Sequence, residues 1–306
     1  MNNKVDVSLT HLNAFSPKHG LIGLLGFPNM LEDDMEFCRL TTAKPFDNKW
    51  GQTDLEFQCK SVTFLVQESK KGWWILGKNG QVAEVSGGQS RIEQIQGAGL
   101  HGDGKSYGYV EVIKYINDEL YVCGYGRQVY KRSGEQWHSI AGDMLTRENA
   151  RGFFDMDGVD GSHLFAVGWQ GEIWYYDGNQ WHKEDTPTNV HLGAIKVVSK
   201  DDVWIAGDHG LVLHGGHAHW TIIESPDFNS NWYAVEEFEG KIYLAGNGVL
   251  AYIDGDRIKP VDTGLNKEFT TNKLHAKEGL LWSIGSEDIL VFDGSVWKEV
   301  LHPDNV

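Results

Sequence analysis

Apolar residues along most of the chain come in short runs that end on glycine. The clearest stretch covers residues 161–184, GSHLFAVGWQGEIWYYDGNQWHKE, where one run ends at Gly168, a second ends before Gly178 and a third begins at Trp181. Each run has the length of one strand, and the Gly, Asp and Asn at the junctions tolerate the positive φ of tight hairpins. The pattern predicts a three-strand meander with a two-residue apex after Gly168.

The same pattern recurs along the chain. The first run of each repeat ends on a glycine, and the intervals are 47, 44, 39, 39 and 39 residues: Gly77, Gly124, Gly168, Gly207, Gly246 and Gly285. A tryptophan opens the third run 12 or 13 residues after the glycine in four repeats: Trp137, Trp181, Trp220 and Trp297. A further apolar run precedes each glycine, so each unit holds four strands.

Four-stranded units of about 40 residues, with no helical periodicity between them, are typical of β-propeller blades. A lone blade would leave a sheet face exposed, so the blades must pack face to face around an axis. The sequence therefore predicts an all-β fold, a single β-propeller domain over residues 1–306. We expect the recurring tryptophans to pack between neighbouring blades, where their large apolar area contributes most.

The boundaries of six blades follow from the repeats: residues 53–96, 97–141, 142–185, 186–224, 225–262 and 263–306. Residues 1–52 are less regular, but a run ends on Gly26, and DNKW at 47–50 echoes the later DGNQW. We interpret them as a degenerate first blade with an insertion, which gives seven blades. The alternative is six blades with an N-terminal extension.

The repeats LFAVGWQGEIWYYDGNQW, VWIAGDHGLVLHGGHAHW and LWSIGSEDILVFDGSVW resemble divergent bacterial β-propellers related to WD-repeat and kelch-like proteins. The resemblance covers residues 55–301 and implies the fold and a binding role rather than a specific reaction. The chain has no Trp-Asp dipeptide, and its DGxxW turns differ from the SxDxGxTW box of sialidases.

Insertions indicate which face of the propeller carries function. Residues 96–107 and 141–151 lie in links from an outer strand to the next inner strand, and these links share one rim with the apices after the glycines. Binding residues usually lie on loops held by a rigid scaffold. The predicted binding residues are Tyr125, Trp169, Gln170, Asp208, His209, Asn247, Glu287 and Asp288 at the apices, with His101, Asp103, Arg147 and Glu148 in the insertions.

The charge balance narrows the choice of partner. The chain has 43 acidic and 27 basic residues, a formal net charge of -16. Such a field repels nucleic acid and anionic membranes and steers a basic protein partner, although plain solubility is the simpler explanation. An acidic insertion that includes Asp33 and Asp34 is a second candidate for the functional surface.

Cysteines and the N-terminal sequence predict a cytoplasmic protein. No run approaches 18 apolar residues, and MNNKVDVSLT lacks the basic start and apolar core of a secretory signal. Cys38, Cys59 and Cys123 are odd in number and show no CxxC spacing, so we expect three free thiols.

No motif specifies a reaction. His209, His214, His217 and His219 lie within eleven residues, but no Cys or HExxH completes a zinc site, so we predict neither a metal nor another cofactor. GxSxG and Walker motifs are absent, and we predict no catalytic residue. The sequence therefore favours a non-enzymatic protein-binding propeller, by analogy an immunity protein that neutralises a basic bacterial toxin. The alternative is a carbohydrate-binding propeller or a glycoside-cleaving enzyme that uses carboxylates of the loop face.

Overall fold

The computed structural model describes residues 8–67, 70–100, 106–147, 151–223 and 227–305. Over these ranges 28 strands form seven antiparallel four-stranded sheets, each with its strands in chain order. The sheets are the blades of one β-propeller. This arrangement confirms the all-β prediction with seven blades, and the six-blade alternative is wrong.

The first three blades have the following strands: β1 (Leu9–Lys18), β2 (Leu21–Pro28), β3 (Cys38–Lys44) and β4 (Lys49–Leu55); β5 (Cys59–Gln67), β6 (Lys70–Gly77), β7 (Gln81–Ser86) and β8 (Gln89–Gln94); β9 (Val110–Ile116), β10 (Glu119–Gly124), β11 (Gln128–Ser133) and β12 (Gln136–Ser139). The next two blades have β13 (Phe153–Asp160), β14 (His163–Gly168), β15 (Ile173–Tyr176) and β16 (Trp181–Lys183); β17 (Leu192–Ser199), β18 (Asp202–Gly207), β19 (Val212–Gly216) and β20 (His219–Ile223). The last two have β21 (Trp232–Phe238), β22 (Lys241–Gly246), β23 (Val249–Asp254) and β24 (Arg257–Pro260); β25 (Lys273–Lys277), β26 (Leu280–Ile284), β27 (Ile289–Phe292) and β28 (Trp297–Glu299).

Helical structure in the described ranges is limited to short 3₁₀ turns, at Pro45–Asp47, Gly142–Met144, Trp169–Gly171, Asp208–Gly210 and Pro303–Asn305. None of these helical turns has the length or the apolar character of a membrane span.

The first strand of each blade is the inner one. Inner strands of neighbouring blades contact one another around a central channel, and the ring closes where β25 of the last blade meets β1 of the first. We call the end of the channel that carries the apices after the glycines, such as residues 169–172, the loop face. The links from an outer strand to the next inner strand, such as residues 184–191, lie on the same face.

The recurring glycines are explained by a close backbone approach. A Cβ added to Gly168 would lie 1.9 Å from the carbonyl oxygen of Gly152, and one added to Gly207 would lie 2.3 Å from that of His191. In both blades the second strand runs against the backbone that leads into the first strand. Any side chain at this point would push the two strands apart, so the blade geometry requires glycine.

The repeated tryptophans pack between blades, as predicted. Trp181 of the fourth blade donates its Nε1–H to the carbonyl of Ile140, which follows the third blade, at 2.9 Å. Trp220 of the fifth blade contacts the ring of Phe165 in the fourth, with centroids 5.9 Å apart. Each outer tryptophan therefore buries apolar area against the preceding blade and keeps a polar partner where one is in reach.

The ring closes without exchange of a strand between its first and last blades. Side chains of β1–β3, including Ile22 and Leu24, form one apolar cluster with Leu280, Trp282 and Ile284 of the last blade. The backbone N–H of His11 donates to the carbonyl of Ser286 at 2.8 Å. Closure therefore depends on packing and on individual hydrogen bonds rather than on a shared sheet.

The prediction of three free thiols is wrong. Cys38 on β3 and Cys59 on β5 form a disulfide, with Cα atoms 5.7 Å apart, and only Cys123 is free. The two bonded cysteines lie on neighbouring blades, which face-to-face packing brings together, so their spacing in the chain gave no signal. Burial raises the pKa of the Cys123 thiol well above its ordinary value.

Candidate protein-binding face and central channel

The predicted apex residues lie together on the loop face. Trp169 and Gln170 lie in the turn that follows β14, and Asp208 and His209 lie in the equivalent turn of the next blade. The remaining predicted positions follow the same geometry: Tyr125 after β10, Asn247 between β22 and β23, Glu287 and Asp288 between β26 and β27, and Arg147 in the link before β13. Three predicted residues lie outside the described ranges: His101, Asp103 and Glu148.

The predicted length of the apex after the glycine, two residues, is wrong for most blades. Only the hairpin between β22 and β23 has two residues, whereas four separate β14 from β15. In that longer apex Gln170 has φ 53°, and the N–H of Glu172 donates to the carbonyl of Trp169 at 3.0 Å. The extra residues complete a hydrogen-bonded turn and carry Trp169 across the face of the propeller.

An aromatic cluster, formed by Tyr125, Phe154, Trp169 and His191, joins three blades at the loop face. The ring centroid of Trp169 lies 4.4 Å from that of His191, 5.2 Å from that of Phe154 and 6.1 Å from that of Tyr125. All four side chains are half-buried. A rigid patch of aromatic side chains that stays partly exposed is typical of the anchors of protein interfaces.

A buried carboxylate at the end of the Trp169 turn pairs with two arginines. Glu172, whose side chain is 2% exposed, accepts two hydrogen bonds from Arg127, at 2.9 and 2.5 Å, and one from Arg151 at 2.7 Å. Burial alone would raise the pKa of Glu172, but the two guanidinium groups hold it below its ordinary value. The carboxylate therefore stays charged and fixes the turn that carries Trp169.

The predicted apex residues differ in their exposure and in the hydrogen bonds that they already make within the protein. Gln170, His209, Asn247 and Glu287 are exposed. The carboxylate of Asp288 is engaged within the blade: it accepts hydrogen bonds from the backbone N–H and the hydroxyl of Thr270, at 2.7 and 2.9 Å, and from Lys267 at 2.7 Å. Asp288 therefore stabilises its own loop.

A ring of bulge residues at the channel mouth was not predicted from the sequence. Six of the inner strands skip one residue in their pairing next to the apex, and a bulge re-aims the side chain of the skipped residue. These residues all line the channel: Leu12, Lys60, Glu111, Phe154, Gly193 and Tyr233. A bulge shifts the pairing of two strands by one residue but hardly alters the alternation of apolar and polar residues along the strand. The sequence pattern therefore does not reveal it.

Exposed apolar side chains lie at this mouth and in the acidic insertion between β2 and β3. Tyr233 and Leu12 are 41% and 40% exposed, and Met30 and Met35 of the acidic insertion are 58% and 45% exposed. Between these methionines lie the exposed carboxylates of residues 32–34. Apolar surface bordered by charge is typical of a protein-binding site.

The channel, with a volume of about 1110 Å³, is lined by charged side chains that pair between neighbouring inner strands. The pairs are Lys60 with Glu111 at 3.1 Å, Lys114 with Asp155 at 3.0 Å, and Lys196 with Glu236. Burial favours the neutral forms of Lys114 and Lys196, but Asp155 and Asp157 raise the pKa of Lys114, and Glu236 and Asp157 raise that of Lys196.

The histidines singled out in the sequence take up separate contacts. His214 stacks on Trp204, with centroids 3.8 Å apart, and contacts Asp202 at 3.0 Å, whereas His217 contacts Glu184 at 2.8 Å. Over the described residues, no group of three or more His, Cys, Asp or Glu side chains has an arrangement that could hold a metal ion.

A known bacterial protein is similar to most of the chain. Immune protein Tsi7 of Pseudomonas aeruginosa (strain PAO1) is 33% identical over 258 residues, which cover 82% of this chain and 83% of that protein. No protein-family model matches the sequence.

Solved propellers share the fold at low sequence identity. The WD40 β-propeller domain of Doa1 has a TM-score of 0.69 and 12% identity, covering 93% of this chain and 92% of that one. YCF48 bound to D1 peptide has a TM-score of 0.68 and 14% identity, covering 97% and 93%. Sqt1 of Saccharomyces cerevisiae has a TM-score of 0.64 and 12% identity, covering 97% and 87%. These structures confirm the predicted resemblance to WD-type propellers in fold alone.

Proposed function

The chain belongs to the family of immune protein Tsi7, and we propose that it is a non-enzymatic immunity protein that neutralises a bacterial toxin by binding it. The observation that carries this proposal is the 33% identity over four fifths of both chains. A closed propeller suits the role because its blades are fixed before binding, which lowers the ordering cost of forming a complex.

We propose the loop face as the toxin-binding surface. The support is the aromatic cluster around Trp169, its fixation by Glu172, and the exposed apolar side chains at the channel mouth. Aromatic anchors of this kind contribute most of the binding energy in many interfaces. The proposed contact residues are those predicted from the sequence: Tyr125, Trp169, Gln170, Asp208, His209, Asn247, Glu287 and Asp288 at the apices, flanked by Arg147 and by His101, Asp103 and Glu148 of the insertions.

A basic toxin surface is the finer part of the proposal. The net charge of -16 and the exposed acidic residues 32–34 beside the channel mouth favour it. Charge complementarity acts mainly on the association rate and weakens as salt screens it. We therefore expect the association rate to fall steeply between 50 and 300 mM salt, roughly in the range where the screening length shortens below 10 Å. A rate that does not depend on salt would rule out a basic partner surface.

We propose that the protein works in the cytoplasm. A disulfide such as Cys38–Cys59 is more typical of an oxidising compartment, so the compartment and the disulfide are tested together. Fractionation of the native host shows the compartment, and alkylation of the thiols at lysis shows whether Cys38 and Cys59 are bonded in the cell. The protein is expected in the cytoplasmic fraction, and recovery from the periplasm or the medium would overturn the proposal.

The immunity role is tested in the host that carries the gene. A deletion strain is expected to lose viability when it meets the toxin made by its parent, and a plasmid copy of the gene should restore growth. A tagged copy should retain a stoichiometric partner on purification. A deletion strain that grows as its parent does, alone and in mixed culture, contradicts the proposal.

A further inference from the structure

The acidic insertion, residues 29–37 between β2 and β3, is longer than the ring requires. The equivalent turn has four residues after β14 and two after β22, so a blade closes with far fewer than nine. Seven of the nine residues are exposed, and the other two, Leu31 and Phe37, are half-buried. The insertion therefore adds surface to the loop face rather than side chains to the core.

Hydrogen bonds to the second blade fix the insertion in place. Gln58, in the link to that blade, donates its amide N–H groups to the carbonyls of Asp33 at 2.9 Å and Met35 at 3.1 Å. Lys78, which follows β6, contacts the carboxylate of Glu36 at 3.2 Å and donates to the amide oxygen of Gln58 at 2.6 Å. The backbone that carries the exposed side chains is therefore ordered before a partner binds, which lowers the cost of forming a complex.

Two methionines give the insertion an apolar surface that the fold leaves uncovered. Met30 and Met35 are both exposed, whereas Leu31 and Phe37 of the same insertion line the channel mouth, where Tyr233 is also exposed. Methionine side chains are flexible and polarisable, which makes them common at binding surfaces. An ordered loop that exposes several apolar side chains is typical of a protein-binding site.

Three carboxylates between the methionines determine which partner fits. Glu32, Asp33 and Asp34 are exposed, and among the described residues none of these carboxylates has an ion pair or a hydrogen bond. The neighbouring Glu36, by contrast, is paired with Lys78. Three unpaired negative charges repel an acidic partner and attract lysine and arginine side chains.

We propose that the acidic insertion docks a segment of the toxin that carries both basic and apolar side chains. The basic side chains pair with the carboxylates of residues 32–34, and the apolar ones cover Met30 and Met35. This docking rests on the proposed immunity role and adds a second contact to that of Trp169. The insertion belongs to the first blade and Trp169 to the fourth, across the seven-blade ring, so the toxin spans the channel mouth.

Binding kinetics separate the two kinds of contact. The toxin that co-purifies with the tagged protein is isolated, and its association and dissociation rates are measured on the immobilised full-length protein. Joint replacement of Glu32→Gln, Asp33→Asn and Asp34→Asn should lower the association rate roughly tenfold and flatten its dependence on salt. Met30→Ser together with Met35→Ser should instead raise the dissociation rate roughly tenfold, because apolar contacts act after encounter.

A matched control neutralises three exposed carboxylates in hairpins on the opposite face: Asp201→Asn, Glu239→Gln and Asp256→Asn. This variant changes the net charge by the same amount as the insertion variant. It should associate nearly as fast as the wild type at physiological salt, where the screening length is about 8 Å.

Cross-linking identifies the docked segment. With the photoreactive residue p-benzoylphenylalanine in place of Met35, illumination of the complex should attach a toxin peptide that contains lysine or arginine beside apolar residues. The same residue in place of the exposed Phe46, on the opposite face, should attach none.

The docking proposal is overturned if either insertion variant binds with wild-type rates, or if the opposite-face control loses as much association rate as the insertion variant. It is also overturned if position 35 cross-links to a segment without basic residues or to a second copy of this chain. In each of these cases the toxin still binds, so the immunity role stands. A wild-type protein that binds no toxin contradicts the proposed function itself, and the docking proposal fails with it.

Discussion

Asn305 is hydrogen-bonded to the backbone of Leu9 at both of its amide atoms, although 296 residues separate them. Its Oδ1 accepts from the Leu9 N–H at 2.8 Å, and its Nδ2 donates to the Leu9 carbonyl at 3.1 Å. Leu9 opens the first inner strand, and Asn305 follows the last outer strand. One side chain therefore replaces part of the strand pairing that this ring lacks between its ends.

The first prediction concerns this closure. Asn305→Ala leaves the N–H and the carbonyl of Leu9 without partners, and we expect a loss of about 1–3 kcal/mol in the free energy of unfolding. Chemical denaturation measures it. Asn247→Ala, an exposed asparagine on the loop face, is the control and should unfold at the wild-type denaturant concentration. Equal stability of the two variants would mean that the asparagine does not hold the ring closed.

The second prediction is a loss of stability in mild acid. Burial lowers the pKa of His11 to about 4, helped by His302, and that of His275 to about 3. In the unfolded chain both histidines titrate near their ordinary value of 6.5, so between pH 6.5 and 4 the unfolded state binds more protons than the folded state. Stability is therefore complete above pH 6.5 and falls as the pH drops through this window, by about 1.4 kcal/mol per pH unit for each histidine.

His275→Gln tests the source of this pH dependence. The variant has no group to protonate at this position, so its free energy of unfolding should fall less steeply from pH 6.5 to 4. His209→Gln, on an exposed apex, should keep the wild-type slope. Identical slopes for all three proteins would show that His275 does not contribute.

The third prediction concerns the disulfide. Thiol titration of the unreduced, denatured protein should count one thiol, that of Cys123. The bond closes a segment with a sequence separation of 21 residues, so reduction should lower stability by about 3 kcal/mol. The double variant Cys38→Ala, Cys59→Ala should unfold at the temperature of the reduced wild type. A count of three thiols would show that the pair is not bonded in solution.

The fourth prediction concerns the ion pair beneath the aromatic cluster. Glu172→Gln removes the negative charge that Arg127 contacts in a largely buried setting, which should cost about 3–5 kcal/mol. Glu135→Gln breaks the exposed pair with Arg91 and provides the matched control, with no measurable loss expected. Thermal unfolding of both variants decides the point, and a Glu172→Gln protein as stable as the control would contradict a structural role for the pair.

The repeat pattern was sufficient for the fold because the same physical constraint, a close backbone approach at the recurring glycine, acts in five of the seven blades. Gly168 and Gly207 have no space for a Cβ, so the constraint is written directly in the sequence. The packing of the outer tryptophans could also be predicted, since each fills the equivalent space between two blades. The location of Trp169 and Asp208 on one face follows from the repeats in the same way.

Contacts between blades that do not recur along the chain could not be predicted. Cys38 and Cys59 meet because neighbouring blades pack together, and Phe154 reaches Trp169 because a bulge turns it towards the channel mouth. None of these relationships has a fixed spacing in the chain, so only the three-dimensional arrangement reveals them.

The central claim, that the loop face binds the toxin, is tested most directly by the affinity of Trp169→Ala for the toxin partner recovered from the host. Loss of an aromatic anchor should weaken binding by about 2 kcal/mol or more, roughly thirtyfold in Kd. Phe46→Ala is the control, because Phe46 is 55% exposed between β3 and β4, on the opposite face. The account predicts a weakened Trp169→Ala complex and an unchanged Phe46→Ala complex, with both variants folded. Wild-type affinity in Trp169→Ala together with weakened binding in Phe46→Ala would contradict it.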